Sequence, residues 1–110
     1  MEAVTVTYEI TAEVREDLVP EYEEFMRRTH IPGLLATGYF KAASLSRSTG
    51  GRYRIRYEAR DSASLERYLA EHAPRLRAHF DARFPEGVRL SREVWTVLQA
   101  WPAPRGLASQ

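Results

Sequence analysis

Alternation of apolar and polar side chains predicts two strands. In the first, apolar residues take every second position and threonine or glutamate lies between them: Val4, Val6, Tyr8, Ile10, Ala12 and Val14. The other is the third strand in chain order and begins near Arg52; its apolar positions are Tyr53, Ile55, Tyr57 and Ala59. A period of two is typical of a strand with one buried face.

Two segments have helical spacing instead. Asp17 is a suitable N-cap, and the stripe that follows it is Leu18, Tyr22, Phe25, Met26 and Thr29. This first helix is predicted to end before Pro32-Gly33. A second helix is predicted after Asp61 and up to Pro85, on the stripe Leu65, Tyr68, Leu69, His72, Leu76, Phe80 and Phe84.

Two further strands complete the pattern, one over residues 38–47 and one from Val88 to about Gln99. Between the second and third strands, Gly50 and Gly51 are expected to supply the positive φ of a hairpin turn. The order strand, helix, strand, strand, helix, strand predicts an α+β fold, the ferredoxin-like βαββαβ arrangement. Its antiparallel sheet would have the first and third strands at its centre and both helices on one face. Residues 1–100 are predicted to form this one domain, and residues 101–110 a C-terminal tail.

Pro74 interrupts the second helical stripe, so the helix is expected to kink or restart there. The kink would bring His72 and Arg75 together at the edge of the core. One hypothesis is a pocket between helices and sheet, with His72 as a base and Arg75 stabilising negative charge. The other residues assigned to that pocket are His30, Tyr8, Tyr53, Tyr57, Tyr68 and His79. The alternatives are a half-buried structural His72, an aromatic core without a pocket, and a His30 that caps its helix, where the helix dipole favours the protonated form.

The opposite face of the sheet is predicted to be bare. Its centre would carry threonine, glutamate and arginine, including Arg54 and Arg56, and its margins Trp95, Val97 and also Tyr39 and Leu45. Exposed aromatic residues at such margins favour a homodimer through this face, with Trp101 as a further contact. The alternative is a solvated charged face that needs no partner.

Composition narrows the choice of function. Sixteen basic and fifteen acidic residues leave a formal charge of +1, so no overall field points to nucleic acid or to a membrane. No cysteine is present, and the histidine spacing suits no zinc motif, so we expect neither a metal nor another cofactor. The segment "GGRYRIRY" superficially resembles an RNA-recognition strand, but its tyrosines share the helix-facing side. Without a leader or an apolar span, the chain is expected to be cytoplasmic.

Residues 4 to 98 also resemble a family of small bacterial proteins known as a domain of unknown function. The most specific motifs are "HIP", "ATGYF" and "YLAEHAPRLR". The resemblance implies a ferredoxin-like fold of the dimeric α/β-barrel type, in which two sheets pack face to face, and it implies no established activity. Related folds include cofactor-free monooxygenases, isomerases and amino-acid-sensing domains. The leading hypothesis is therefore a homodimer that binds a small apolar or anionic molecule, and the rival is a non-catalytic dimerisation or interaction module.

Overall fold

In the computed structural model, residues 5–104 and Gly106 are described. The four strands are β1 (Val6–Val14), β2 (Phe40–Arg47), β3 (Arg52–Ala59) and β4 (Val88–Thr96). The helices are α1 (Val19–Phe25), α2 (Ile31–Leu35), α3 (Ser62–Glu71) and α4 (Ala73–Arg83). A 3-10 turn, Glu16–Leu18, precedes α1, and a π turn, Met26–His30, joins α1 to α2. Val4 and parts of the predicted tail, 105 and 107–110, lie outside the described residues.

The sheet is antiparallel, in the order β2-β3-β1-β4. This confirms the ferredoxin-like arrangement and the central pair, β1 and β3. Tyr8 lies opposite Tyr57 and Ile10 opposite Ile55, on the helix-covered face. Glu9 lies opposite Arg56 on the other face. Because side chains alternate along a strand, this register places the buried tyrosines together beneath the helices.

The first helical segment is longer than predicted. It continues through Pro32 and Gly33 to Leu35, so the expected end before this pair is wrong. A proline at this position cannot donate to the carbonyl four residues back and would clash with it. The π turn relieves this conflict, because the Ile31 amide donates to the Met26 carbonyl five residues earlier. Asp17 is not an N-cap either, because its carboxylate binds the Arg15 guanidinium at 2.6 Å.

The second helical segment is divided at His72, as Pro74 predicts. Pro74 is the second residue of α4, where the backbone needs no helical donor, and the break replaces a kink with a restart. Asp61 caps α3 as expected, since its carboxylate accepts from the Ser64 amide at 2.7 Å. Because α4 begins as a separate helix, its orientation is not fixed by that of α3. This orientation decides which side chains of α4 reach the core.

Turns differ in small ways from the predictions. Gly51 alone adopts positive φ, +80°, in the hairpin between β2 and β3, so Gly50 is not required for that purpose. At Gly87, before β4, φ is +87° and an added Cβ would lie 2.5 Å from a Leu18 methyl carbon. β4 ends at Thr96 instead of near Gln99, although the Val97 amide still donates to the Thr5 carbonyl at 2.8 Å.

Candidate functional site

A cavity lies between the helices and the sheet, and we call it the helix–sheet cavity. The space open to the centre of a water molecule is about 30 Å³, enough for one or two waters. Its lining residues come from the sheet, the first helical segment, α3 and α4. They are Tyr8, Ile10, Tyr22, Met26, His30, Leu34, Ile55, Tyr57, Tyr68, Arg77, Phe80, Leu90 and Arg92.

Three buried polar atoms of this lining have no hydrogen-bond partner among the described residues. They are the Tyr22 hydroxyl, His30 Nδ1 and Arg77 Nε. A buried polar atom without a partner costs about 1–3 kcal/mol, and such atoms are uncommon in folded proteins. The three residues that carry these atoms line the same cavity.

The charge of the cavity is positive. Arg77 Nη2 donates to the Tyr8 hydroxyl at 2.9 Å, which holds this guanidinium against the tyrosines. Arg92 contributes a second guanidinium from β4. No aspartate or glutamate is among the described residues of the lining, and neither arginine has an ion pair in that part of the chain. Within the described residues, no carboxylate balances the charge of these two guanidinium groups.

His30 faces the cavity instead of capping a helix end. Its ring lies 5.4 Å from Phe80 and 5.8 Å from Phe25, measured between ring centroids. Burial lowers the pKa of His30 to about 4, with smaller contributions from the positive charges of His79 and Arg92. The expected protonated helix-end histidine is therefore wrong: because the helix continues past Pro32, His30 is internal, and at neutral pH it is uncharged.

The cavity tyrosines are also held in their neutral form. Burial is the first cause that raises the pKa of Tyr22, Tyr57 and Tyr68 above the ordinary tyrosine value. The neutral phenol can donate a hydrogen bond, whereas a phenolate cannot. Near neutral pH the cavity thus offers hydroxyl donors and guanidinium donors together.

His72 and Arg75, predicted to form the centre of the site, do not line the cavity. Arg75 Nη2 lies 3.4 Å from His72 Nδ1, and His72 packs beside Tyr39 at 5.7 Å between ring centroids. The restart at Pro74 brings the two together as expected, but at the outer end of α3, where Glu71 Oε1 is 4.0 Å from His72 Nε2. Their catalytic roles stay a prediction, at a surface cluster outside the helix–sheet cavity.

Two other predicted lining residues lie elsewhere. The Tyr53 hydroxyl donates to the Glu23 carboxylate, which also binds Arg47 at 2.8 Å, because Tyr53 is at the far end of β3. His79 is exposed, although its ring lies 5.6 Å from that of Phe25. The structure brings together Tyr8, His30, Tyr57 and Tyr68. The sequence reasoning missed Tyr22, Arg77 and Arg92, since it assigned Tyr22 to the core stripe and left both arginines unplaced.

The bare face of the sheet carries Trp95, which is 50% exposed and lies opposite Thr7. Across the central pair, Arg56 Nε is 3.6 Å from Glu9 Oε2, and the Thr7 hydroxyl donates to the same carboxylate at 2.9 Å. Tyr39 and Leu45 are not on this face. Leu45 lies opposite Ile55 on the helix side and packs against the core, because a bulge between residues 40 and 42 changes the alternation of β2. Tyr39 precedes β2, and its hydroxyl donates to the Glu71 carboxylate of α3 at 2.7 Å.

The histidine, acidic and β3 tyrosine side chains of the described residues are arranged as follows. Among residues 5–104 and 106, no three histidine, aspartate or glutamate side chains group as metal ligands would. Tyr53 and Tyr57 are buried, at 2% and 1% exposure, so neither ring is free to stack on a base. In the same part of the chain, no helix is both long and apolar enough to cross a membrane.

Comparison with known proteins adds the fold and a family. A dimeric ferredoxin-like protein from an uncultured marine organism is similar over 89% of this chain and 99% of its own, with a TM-score of 0.65 and 18% identity. A conserved protein from Methanosarcina mazei Go1 is similar over 82% of this chain and 91% of its own, with a TM-score of 0.60 and 11% identity. A search of curated proteins finds no match. Residues 5–98 match the family described as Domain of unknown function (DUF4286), and the chain therefore belongs to that family.

Proposed function

We propose that this protein binds a small polar molecule in the helix–sheet cavity. The observation that carries the proposal is that three residues lining one cavity, Tyr22, His30 and Arg77, each have a buried polar atom without a partner among the described residues. A ligand that supplies their missing hydrogen bonds recovers a desolvation cost of about 1–3 kcal/mol at each atom. The remainder of the lining is largely aliphatic and aromatic, as is usual in small-molecule sites.

The size of the cavity limits the ligand. A space of about 30 Å³ for water centres suits a molecule of few heavy atoms, or a larger one only if side chains turn away. Arg92 is exposed on β4 and its long side chain can move, so the opening beside it is the expected entrance. The competing occupant is ordered water, which would satisfy the same atoms without any ligand.

Native mass spectrometry of the protein as purified, followed by a thermal-shift screen of small metabolites, tests the binding. His30→Ala and Arg77→Gln are expected to lose the bound mass or the shift. His72→Ala and Arg75→Gln serve as matched controls on the surface cluster and are expected to retain both. If the losses are reversed, the site is at His72. If the wild type never binds anything, the rival interpretation, a module without a ligand, replaces this one.

We also propose that two copies associate through the bare faces of their sheets. In register on this face, β1, β3 and β4 present four arginines and four glutamates: Arg52, Arg54, Arg56, Arg89, Glu9, Glu13, Glu58 and Glu93. A twofold axis brings each patch against its own copy, and an equal mixture of charges can be self-complementary there. Trp95 supplies an apolar anchor at 50% exposure, with Val97 beside it. The similar marine protein is itself described as dimeric.

Trp95→Glu is the sharp test of this interface, because it adds a buried charge to the proposed contact. We expect light scattering after size exclusion to show monomers. Val94→Glu is the matched control. Val94 immediately precedes Trp95 in β4, is similarly exposed at 52%, and points to the other face of the sheet. Dimers that survive Trp95→Glu, or are disrupted equally by Val94→Glu, would place the interface elsewhere.

A further inference from the structure

We infer that the ligand of the helix–sheet cavity is a small monocarboxylate, with its carboxylate on Arg77 and Arg92 and its aliphatic part among the apolar lining residues. This inference rests on the proposed function and narrows it to one class of molecule. The sequence predicted an apolar or anionic ligand. The inference selects the anion and places its hydrogen-bond donors on α4 and β4 instead of at His72.

The charge balance favours an anion. Two guanidinium groups reach this cavity, and the described residues offer no carboxylate in the lining and no ion pair to either group. Arg77 is half-buried, and a half-buried cation without a counterion is costly, so a bound anion lowers that cost.

Hydrogen-bond geometry points the same way. Arg77 Nη2 donates one hydrogen bond to the Tyr8 hydroxyl at 2.9 Å, whereas the buried Nε has no partner among the described residues. An acceptor that enters the cavity can take that Nε–H bond, and the Tyr22 hydroxyl can donate a second one. Carboxylate oxygens accept without donating, and charge-assisted bonds of this kind are the stronger class.

The apolar lining distinguishes a monocarboxylate from a phosphate. Much of the cavity wall consists of apolar side chains, namely Ile10, Met26, Leu34, Ile55 and Phe80. A phosphate dianion carries more oxygens and more charge than the donors of this small space can satisfy, so its desolvation would cost more. A carboxylate with a short aliphatic chain places two oxygens at the donors and hydrocarbon against the wall.

The test measures binding of acetate, propionate and butyrate to the intact protein by ¹H–¹⁵N NMR titration, at constant ionic strength set with chloride. Acetamide and propionamide are neutral probes of matched shape, and inorganic phosphate is the competing anion. We expect the carboxylates to bind and the amides and phosphate to bind at least about tenfold more weakly, since bonds to a charged group are worth about 1.5–3 kcal/mol. Arg77→Gln should weaken carboxylate binding by a similar factor, whereas Arg75→Gln, on the same helix but outside the cavity, should not.

Different failures have different meanings. If amides bind as tightly as carboxylates and Arg77→Gln weakens both equally, the cavity binds small molecules without preferring an anion, and only this inference is wrong. If phosphate binds best, the ligand class is wrong. If no probe binds and the purified protein carries no extra mass, both the inference and the proposed function are wrong. Should Arg77→Gln fail to fold, Arg92→Gln at an exposed position of β4 provides the second variant, with the same expectation.

Discussion

Lowering the pH from 7 to 4 should destabilise this protein in a way that depends on His30. Burial among Phe25, Phe80 and the cavity lining lowers the pKa of His30 in the folded protein to about 4, from an ordinary value of 6.5. The unfolded chain therefore binds a proton at a higher pH than the folded one does. Stability from this group is complete above pH 6.5 and is lost progressively as the pH falls toward 4.

The magnitude follows from the shift. Each pKa unit corresponds to 1.36 kcal/mol, so the difference between 6.5 and about 4 amounts to about 3 kcal/mol. A small domain has a total stability of about 5–15 kcal/mol, so this one imidazole is a large part of the acid response. Below pH 4 both states are protonated at His30, and its contribution to the pH dependence ends.

Urea unfolding at several pH values, with the wild type and His30→Gln in parallel, measures this effect. Carboxylates titrate in both proteins, so the difference between their free energies of unfolding isolates His30. The wild type should lose about 3 kcal/mol more than the variant between pH 7 and pH 4. His79→Gln is the control, and it should keep most of the loss because burial, not the charge of His79, is the first cause of the shift.

Two results would refute this reasoning. One is an NMR titration in which the imidazole of His30 has a midpoint near 6.5, because that value means that water reaches the ring. The other is an equal fall in stability for the wild type and His30→Gln. Either result would also weaken the proposed cavity, since the same burial leaves Nδ1 without a partner.

Two further substitutions test the local interpretations. Tyr22→Phe removes a buried hydroxyl without a partner. Thermal unfolding without ligand should therefore show an unchanged stability or a gain of up to about 1–3 kcal/mol, while ligand binding weakens. A large loss of stability would mean that the hydroxyl has a hydrogen-bond partner in the wild type. Pro74→Ala should cost at most about 1 kcal/mol in urea unfolding, because Pro74 fits the first turn of α4 and restricts the unfolded chain. A gain near the roughly 3 kcal/mol expected for removing a proline from a helix interior would show that α3 and α4 behave as one helix.

Much of the fold could be predicted because the residues that specify each element lie close together in the sequence. The alternation around Tyr8 and Tyr57 assigned β1, β3 and their buried face, and Asp61 and Pro74 located the start of α3 and the restart at α4. The errors lie where two local rules compete. Pro32 predicts the end of a helix, yet a π turn accommodates it, and the alternation that placed Leu45 on the bare face fails at a bulge.

The candidate site was less predictable from local patterns. Sequence reasoning selected His72 and Arg75 because Pro74 lies between them, and the two are indeed neighbours. The cavity instead combines His30, Arg77 and Arg92 from three separate segments. From the sequence alone, an arginine on a helix is expected to face solvent. Only the neighbours of Arg77 in space show that its Nε is buried.

The sequence by itself determined the order of elements, the central strand pair and the face that carries the tyrosines, because hydrophobic periodicity and turn residues act over a few positions. Only the tertiary structure decided that the first helix continues past Pro32, that His30 is internal and that Arg77 reaches Tyr8, 69 residues away in the chain. Burial, pKa and unpaired polar atoms depend on what the other layer places nearby, and no local pattern carries that information.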